Sequence, residues 1–325
     1  MTGKTLLILN PIAGKGVGKR HLLDIVTRLS DGGCDVTVLP TKKGTETVER
    51  IAAMLAKDST YQMVVACGGD GTLNTAVEGM ARGGRMLPLG YIPLGSTNDF
   101  ASSLGLSSDV PTAVERILKG TPVPHDLGAF NGRRFTYVAC CGAFADTSYS
   151  TSQSMKNLLG HTAYVINAIP SLASLRPLNL TITADGETIE GKYVFCGIGN
   201  TTVMAACRSC SEMEAASPMA AGSRRTISSF TVAGTVKLGA DTVDFNDGMF
   251  ELLLIRFPHD LIEAGRIATK LLSGSIDDPT ISIRKAHCCR ILSAEPVAWS
   301  LDGEEGGKSK NSTVSVEKSA LYILK

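Results

Sequence analysis

The sequence lacks both a strong net charge and any long apolar run. Its 325 residues include 32 Lys and Arg against 31 Asp and Glu, so the formal net charge is only +1. A chain without a strong positive field has no general attraction for nucleic acid or for an anionic membrane. No stretch reaches the roughly 18 uninterrupted apolar residues of a membrane-spanning helix, and the opening run at residues 6–9 is too short for a signal sequence. We therefore expect a cytoplasmic protein without a nucleic-acid partner.

A disulfide framework and a thiolate metal site are also not indicated. The nine cysteines are an odd number, and their spacing does not suggest a set of paired thiols. Cys207 and Cys210 form a single C-x-x-C, whereas a structural zinc site needs a second pair or suitably spaced histidines. The five histidines show no spacing typical of a catalytic triad or a ligand set. The hydrophobic fraction of 43% instead supports apolar cores, and the length suggests about two domains.

The apolar pattern of the first third predicts an α/β domain. It indicates buried strands at residues 6–9, 63–66 and 87–92 and an alternating strand at 34–38, with helical spacing between them. Strands separated by helices imply a parallel sheet with flanking helices. In such sheets ligands bind beyond the carboxyl ends of the strands. We expect this domain to span residues 1–124.

Residues 125–325 have a different pattern, which predicts a mainly β domain. Alternating sets such as 135–139 and 178–182 are typical of half-buried antiparallel strands, so we expect a β sandwich.

Three further segments interrupt these strands. Helical spacing predicts helices at 155–175 and 261–272. The segment 200–228 is rich in Ala, Ser, Met, Cys and Arg and has no clear period, which predicts a flexible insertion.

Three loops follow predicted strands of the first domain, and the first of them is Asn10-Pro11-Ile12-Ala13-Gly14. It is not a Walker A loop, because Lys19 is followed by Arg20. It is not a dinucleotide fingerprint, because Lys19 stands where the last glycine is needed. Its free backbone N–H groups can hold a phosphate at a helix N-terminus, but a simple tight turn explains the same residues equally well.

The second loop is the run Gly68-Gly69-Asp70-Gly71-Thr72-Leu73-Asn74. Its glycines let the backbone approach a ligand closely. Asp70 beside a phosphate would be repelled without an intervening cation, so the run indicates nucleotide binding together with Mg²⁺. Thr72 and Asn74 can cap the following helix or bind the nucleotide.

The third loop, Gly95-Ser96-Thr97-Asn98-Asp99, also follows a strand and opens a helix. Ser96 and Thr97 are candidate phosphate donors, and Asn98 or Asp99 is a candidate helix cap. Two acidic segments later in the chain, at 244–249 and 302–304, can by themselves be explained as ordinary turns.

Together the three loops resemble the diacylglycerol kinase catalytic-domain family, in its soluble bacterial lipid kinase branch. NAD kinases and 6-phosphofructokinases share the Gly-Gly-Asp-Gly-Thr run, but residues 93–101, Pro-Leu-Gly-Ser-Thr-Asn-Asp-Phe-Ala, match the lipid branch. The resemblance covers nearly the whole chain. It implies a nucleotide-binding catalytic domain at 1–124 and a β-rich lipid-substrate domain at 125–325, with the last residues able to return to the first domain.

The resemblance also implies a role for each matched residue. Nucleotide contacts belong to the three loops and to one threonine after the second strand, namely Asn10, Pro11, Gly14, Thr41, Gly68, Gly69, Asp70, Gly71, Thr72, Asn74, Gly95, Ser96, Thr97 and Asn98. Asp70 and Asp126 would hold the catalytic Mg²⁺ through water, which places Asp70 in the catalytic set. Asp244, Asp247 and the carbonyl of Met249 would hold a structural Mg²⁺. Asp302 would be the general base for the acceptor hydroxyl, with Glu304 as its neighbour.

The implied activity is that of an ATP- and Mg²⁺-dependent kinase that phosphorylates diacylglycerol, or a related lipid alcohol, to give phosphatidate. An NAD kinase-like enzyme shares residues 68–72 but does not explain residues 95–101. A catalytically impaired nucleotide-binding protein is a further alternative, because the segment 200–228 departs from the family pattern. A lipid substrate implies peripheral binding at the inner face of the membrane, with residues 155–175 or the pair Arg133–Arg134 as docking surfaces. A homodimer is left open.

Overall fold

The computed structural model describes residues 3–42, 45–95, 98–142, 176–201, 203–204, 236–237, 243–272 and 275–325. The chain folds into two units. The first comprises Met1–Tyr137, Val243–Phe250 and Val314–Lys325, and the second comprises Val138–Thr242 and Glu251–Thr313. Each unit is therefore built from segments that are far apart in the sequence.

The first unit alternates strands and helices along most of its length. Its elements are β1 (Gly3–Leu9), α1 (Ala13–Asp31), β2 (Cys34–Pro40), α2 (Glu46–Lys57), β3 (Tyr61–Gly68), α3 (Asp70–Arg82), β4 (Leu89–Pro93), α4 (Asp99–Ser103), α5 (Val110–Lys119), β5 (Pro122–Phe130), β6 (Arg133–Phe135) and the last part of β15 (Glu304–Leu324). The predicted alternation of strand and helix is therefore confirmed for this part of the chain.

The sheet of the first unit combines parallel and antiparallel strands. Strands β2, β1, β3 and β4 pair in parallel in that order. The last part of β15 is parallel to β4 at Ile323 and Leu89, and antiparallel to β5, which in turn pairs antiparallel with β6. The predicted parallel sheet is thus extended by antiparallel strands into a mixed one.

The central strands of this sheet are buried on both faces. Leu7 and Val65 belong to the apolar cluster that also contains residues of α1 and α5. Their neighbours Leu6 and Val64 point to the opposite face and are also fully buried. Burial of both faces explains why these strands show continuous apolar runs in the sequence instead of alternation.

The two units divide after Tyr137, whereas the sequence pattern places the boundary at residue 124. Residue 124 lies inside β5, and the residues of β5 pair with β15 and with β6. These pairings keep residues 125–137 in the first unit. The last residues of the chain belong to the first unit for the same reason.

The second unit is rich in strands, as the sequence predicts. Its elements are β7 (Val138–Gly142), β8 (Leu178–Ala184), β9 (Glu187–Gly199), β10 (Val203–Met204), β11 (Val236–Lys237), β12 (Phe250–Arg256), α6 (Leu261–Leu272), β13 (Ile281–Ala286), β14 (Cys288–Leu301) and the first part of β15. Helix α6 spans the predicted range. The packing of these strands as a sandwich stays a prediction.

Strands β7 and β8 occupy successive positions between the same two long strands. Strand β9 pairs antiparallel with β7 over residues 195–199 and with β8 over residues 187–193. Strand β14 pairs antiparallel with β7 over residues 299–301 and with β8 over residues 289–293. Strands β7 and β8 therefore act as one strand that is interrupted between Gly142 and Leu178.

Several predicted segments lie partly or wholly outside the described residues. The predicted helix at 155–175 lies outside them entirely, and so does the predicted insertion at 200–228 apart from residues 200–201 and 203–204. The strand predicted across 135–139 is divided in two, because β6 ends at Phe135 and β7 begins at Val138, where the chain leaves the first unit. Within the described ranges, no helix combines the length and the apolarity that crossing a membrane requires.

Candidate active site

The three predicted loops lie at the carboxyl edge of the parallel strands, where backbone hydrogen bonds connect them. Each bond continues a strand pairing beyond the strand ends. The bonds run from Thr41 N to Leu9 O (2.8 Å), from Asn10 N to Cys67 O (2.9 Å) and from Leu94 N to Gly68 O (2.7 Å). The structure therefore brings together the loops that contain Asn10, Thr41, Gly68 and Gly95.

The first loop is a tight turn that leads directly into α1. Asn10 Oδ1 accepts a hydrogen bond from Ile12 N at 3.1 Å, which fixes the turn around Pro11. Helix α1 begins at Ala13, and Gly14 adopts a φ of +56° at a position where a Cβ atom would meet Leu94 O. Only glycine fits there. Because it has no side chain, the first loop can pack directly against Leu94, the residue that precedes the third loop.

The second and third loops touch through two glycines. A Cβ atom on Gly95 would lie 2.6 Å from Gly69 Cα, and one on Gly69 would lie 3.1 Å from Gly95 Cα. The third loop is closed by Asn98, whose Oδ1 accepts from Gly95 N at 2.8 Å and whose Nδ2 donates to Gly95 O at 3.0 Å. Because neither glycine has a side chain, the two backbones leave a surface that a phosphate chain can approach closely. Ser96 and Thr97 lie outside the described residues.

Asp70 joins these two loops through its side chain. The residue is 3% exposed, and its carboxylate accepts hydrogen bonds from Asp99 N at 3.1 Å and from Phe100 N at 3.3 Å. It therefore caps the first turn of α4 from a position 29 residues earlier in the chain. Asn98 is the N-cap residue of α4, one of the two predicted, but its side chain makes no cap hydrogen bond, and the Asp70 carboxylate accepts from the first turn instead.

Thr72 and Asn74 lie within α3, so of their two predicted roles the capping of this helix is excluded, and nucleotide binding stays a prediction. Helix α3 begins at Asp70, and its N-cap is Gly69. Thr72 is buried, and its backbone N–H donates to Gly69 O at 2.9 Å. Asn74 Oδ1 is buried and has no hydrogen-bond partner in the described part of the chain. Such an atom costs free energy unless a ligand or water supplies a partner.

A cavity of about 480 Å³ lies beside the glycine loops of the first unit. Gly14, Leu94, Gly95, Asn98 and Ser102 are among the residues that line it. The first and third loops are therefore within reach of a ligand of moderate size.

Asp126 lies in β5 and is held by backbone groups from two distant segments. It is 1% exposed, its Oδ2 accepts from Gly248 N at 2.6 Å, and its Oδ1 accepts from Ser319 N at 2.7 Å. Its own backbone N–H donates to Phe245 O at 2.8 Å. The carboxylate predicted for the catalytic metal therefore contacts the loop predicted for the structural metal.

The loop at 244–249 is built from two turns closed by carboxylates. Asp244 Oδ1 accepts from Asn246 N at 3.0 Å, and Asp247 Oδ1 accepts from Met249 N at 2.9 Å. Gly248 has a φ of +83°. Within the described ranges, no group of three or more His, Cys, Asp or Glu side chains forms a metal cluster by itself.

A row of three aromatic rings links this acidic loop to α4. The ring centroids of Phe100 and His125 lie 5.2 Å apart in an edge arrangement, and His125 stacks on Phe245, also at 5.2 Å. His125 is 3% exposed, and its Nε2 has no hydrogen-bond partner in the described residues. Burial, with a smaller contribution from Lys325, lowers the pKa of His125 to about 3. Sequence reasoning assigned no role to this histidine, since nothing in its local sequence marks it.

Asp302 lies in the second unit, at the turn between β14 and β15. Asp302 and Gly303 both have positive φ, +51° and +77°, which makes this two-residue connection a type I′ hairpin turn. Asp302 is fully buried; its Oδ1 accepts from Val138 N at 3.0 Å, and its N–H donates to Val138 O at 2.8 Å. Glu304, the first residue of β15, is exposed.

The chain is similar to known proteins along nearly its whole length. Residues 4–130 match the family model described as "Diacylglycerol kinase catalytic domain". The chain is 30% identical to the diacylglycerol kinase of Bacillus subtilis (strain 168) over 303 residues, which cover 93% of this chain and 89% of that protein. It is also 30% identical to the diacylglycerol kinase of Staphylococcus carnosus (strain TM300) over 310 residues, which cover 95% and 90%.

A solved structure has the same fold. The crystal structure described as a diacylglycerol kinase from Bacillus anthracis str. Sterne matches with a TM-score of 0.69 at 20% sequence identity. The match covers 99% of this chain and 96% of that one.

The buried neutral His125 makes the stability of the protein sensitive to acid. Between about pH 6.5 and pH 3 the unfolded chain binds a proton at this residue and the folded chain does not, so stability falls as the pH falls through this window. From pH 7 to pH 5 this one residue should cost about 2 kcal/mol of unfolding free energy. His125→Phe should remove that loss, as measured by urea unfolding at the two pH values.

His287→Gln is a matched control, because His287 is exposed and its replacement should leave the pH dependence as it is. A His125→Phe variant that loses as much stability between pH 7 and pH 5 as the wild type would contradict this account.

Proposed function

Because the chain belongs to the diacylglycerol kinase family, we propose that it transfers the γ-phosphoryl group of ATP to a lipid alcohol in a Mg²⁺-dependent reaction. Diacylglycerol is the acceptor proposed first, which makes phosphatidate the product. The NAD kinase-like alternative shares only the second loop with this chain, whereas similarity to the named lipid kinases extends over 93% and 95% of its length.

The observation that carries the nucleotide part of the proposal is the contact between Gly69 and Gly95. Phosphoryl transfer depends on positioning and on stabilising charge, and backbone N–H groups supply both without a side chain in the way. The buried and unpartnered Asn74 Oδ1 supports a ligand at the same edge, since an amide oxygen can accept from a sugar hydroxyl or a base amine. Asn10, Thr41 and Asn98 lie in the loops connected there and remain predicted nucleotide contacts.

The donor set of the first unit suits Mg²⁺. Asp70, Asp126, Asp244 and Asp247 offer carboxylate oxygens and Met249 a carbonyl, which are the ligands that this cation prefers. Mg²⁺ keeps several waters and is usually held by one or two carboxylates together with phosphate oxygens, so it needs no compact cluster of protein ligands. When bound, the metal neutralises negative charge on the phosphates. Asp70 and Asp126 would hold the catalytic ion, and the loop at 244–249 a structural one.

Asp302 is the proposed general base. An alcohol is a weak nucleophile at neutral pH, and a carboxylate within hydrogen-bond reach assists attack by accepting its proton. Val138 N fixes one carboxylate oxygen, so the orientation of the acid is set by the backbone of the neighbouring strand. Glu304, two residues further along, remains a predicted neighbour in this network.

A lipid acceptor would bring the protein to the inner face of the membrane as a peripheral enzyme. Of the predicted docking residues, Arg134 has its Nε 2.8 Å from Glu317 Oε2, so its charge is already partly compensated. The other predicted surface, at 155–175, lies outside the described residues. Peripheral binding and a homodimer stay predictions.

Purified protein with radiolabelled ATP, Mg²⁺ and diacylglycerol in mixed micelles tests the proposal directly. Labelled phosphatidate that disappears on chelation of Mg²⁺ is the expected result. No labelled product from diacylglycerol or from other lipid alcohols would contradict it. NADP formation in a parallel assay would favour the NAD kinase-like alternative, and ATP binding without any product would favour an impaired nucleotide-binding protein.

Gly95→Ala should weaken ATP binding at least tenfold, as measured by calorimetry, a loss of about 1.4 kcal/mol. The new Cβ atom would lie 2.6 Å from Gly69 Cα and 2.7 Å from Asn98 Oδ1, so the two loops would have to separate. Gly84→Ala is the control: it has a φ of +67° and no atom within 4 Å of the new Cβ, so it adds backbone strain without a clash. That variant should lose about 1 kcal/mol of stability and keep its ATP affinity. Equal ATP affinity in both variants would exclude the contact as part of the nucleotide site.

Asp302→Asn should lower kcat for lipid phosphorylation by about 10²- to 10⁴-fold, because the amide cannot accept the hydroxyl proton. Asparagine also favours positive φ and can still accept from Val138 N, so the turn should fold normally and ATP affinity should persist. Glu305→Gln, an exposed change three residues later, is the control. Wild-type turnover in the Asp302→Asn variant would rule out its role as the base.

A further inference from the structure

Asn200 is the one residue in the described part of the chain whose two side-chain polar atoms are both buried and both without a hydrogen-bond partner. The residue is only 7% exposed. An amide nitrogen and an amide oxygen that lose their contacts with water and gain none within the protein both disfavour folding. Buried polar groups are nearly always hydrogen-bonded, so this amide calls for an explanation.

Asn200 lies at the same end of the sheet as the proposed base, with one strand between them. It directly follows Gly199, the last residue of β9, and Gly199 pairs with Val138 of β7. Val138 is also the residue that accepts from Asp302 N and donates to Asp302 Oδ1. Asn200 and Asp302 therefore follow the ends of the two strands, β9 and β14, that flank β7.

Two buried carboxylates of the second unit lie close to polar or basic groups. Asp278 Oδ1 accepts from Thr280 N at 2.9 Å, and its Oδ2 lies 3.0 Å from Arg266 Nε. Glu251, which pairs with Gly199 from the other strand, has its Oε1 3.8 Å from Lys285 Nζ. These carboxylates thus have a nearby cation, whereas neither polar atom of the neutral Asn200 amide has a hydrogen-bond partner among the described residues.

We propose that Asn200 binds the polar part of the lipid acceptor, with Nδ2 donating to an ester carbonyl oxygen of an acylglycerol. Oδ1 can accept from an ordered water or a hydroxyl. Strands β9 and β14 flank β7, so the ends of the strands that carry Asn200 and Asp302 are about 10 Å apart. In a diacylglycerol the free hydroxyl and one ester are carried by adjacent carbon atoms, and with a hydrogen bond at each end such a group can bridge a gap of this size. The inference rests on the proposed function and adds an acceptor preference to it: an ester next to the hydroxyl.

Asn200→Leu tests this assignment, because leucine has nearly the shape of asparagine and no polar atoms. The variant should be at least as heat-stable as the wild type, since it removes two unpartnered polar atoms. Its KM for diacylglycerol in mixed micelles should rise about tenfold, which is what one neutral hydrogen bond contributes. Its KM for the dialkyl ether analogue, which has no ester carbonyl, should change far less, and its ATP affinity should not change.

Asn179→Leu is the matched control, since Asn179 is an exposed asparagine of β8 in the same unit. It should change neither the melting temperature nor either KM.

A melting temperature that falls by several degrees in Asn200→Leu, or a failure of that variant to fold, would mean that the amide has partners within the protein and would overturn the proposal. An unchanged preference for the diester over the diether would overturn it as well. If the wild-type chain itself phosphorylates no lipid, the proposed function fails; if it does and Asn200→Leu behaves like it, only the Asn200 assignment fails.

Discussion

The two hydrogen bonds from the backbone amides of Asp99 and Phe100 to the Asp70 carboxylate organise the candidate site of the first unit. Helix α4 has five residues, which is too short to be stable by itself, so its placement depends on this remote cap. The cap fixes the third loop against the second, and it also fixes Phe100. Through the edge contact of Phe100 with His125 and the stacking of His125 on Phe245, the same carboxylate helps to position the acidic loop at 244–249.

The second unit orients its own candidate carboxylate by the same kind of contact. Val138 N donates to Asp302, as the amides of α4 donate to Asp70 and those of Gly248 and Ser319 donate to Asp126. Backbone amides have fixed directions, whereas a lysine or arginine partner would lose side-chain entropy to hold a position. Such contacts orient each acid without cancelling its negative charge. A carboxylate that is to bind a cation or accept a proton needs that remaining charge.

Much of this could be predicted from the sequence, because the informative residues were close together. The alternation of apolar runs predicted the strands and helices of the first unit, and the glycine runs marked the loops that meet at its sheet edge. What could not be predicted depends on pairs far apart in the chain. The cap of α4 by Asp70, the boundary after Tyr137 and the contact of Asp126 with Ser319 all need the fold. His125 and Asn200 were missed for another reason: their significance lies in unpartnered polar atoms, which no local pattern reveals.

In the second unit, the interrupted strand separates the register of strand pairing from the number of residues in the chain, two properties that are normally linked. In an ordinary strand, inserting one residue shifts the register of everything that follows and turns each side chain to the other face. Here β7 and β8 are each held independently by β9 and β14, so the register on either side of the break is set by the partners and not by the length of chain between Gly142 and Leu178. Lengthening that stretch would add closure entropy that grows only logarithmically. The break is therefore a place where evolution can change the length of the chain while the strand next to Asp302 keeps its alignment.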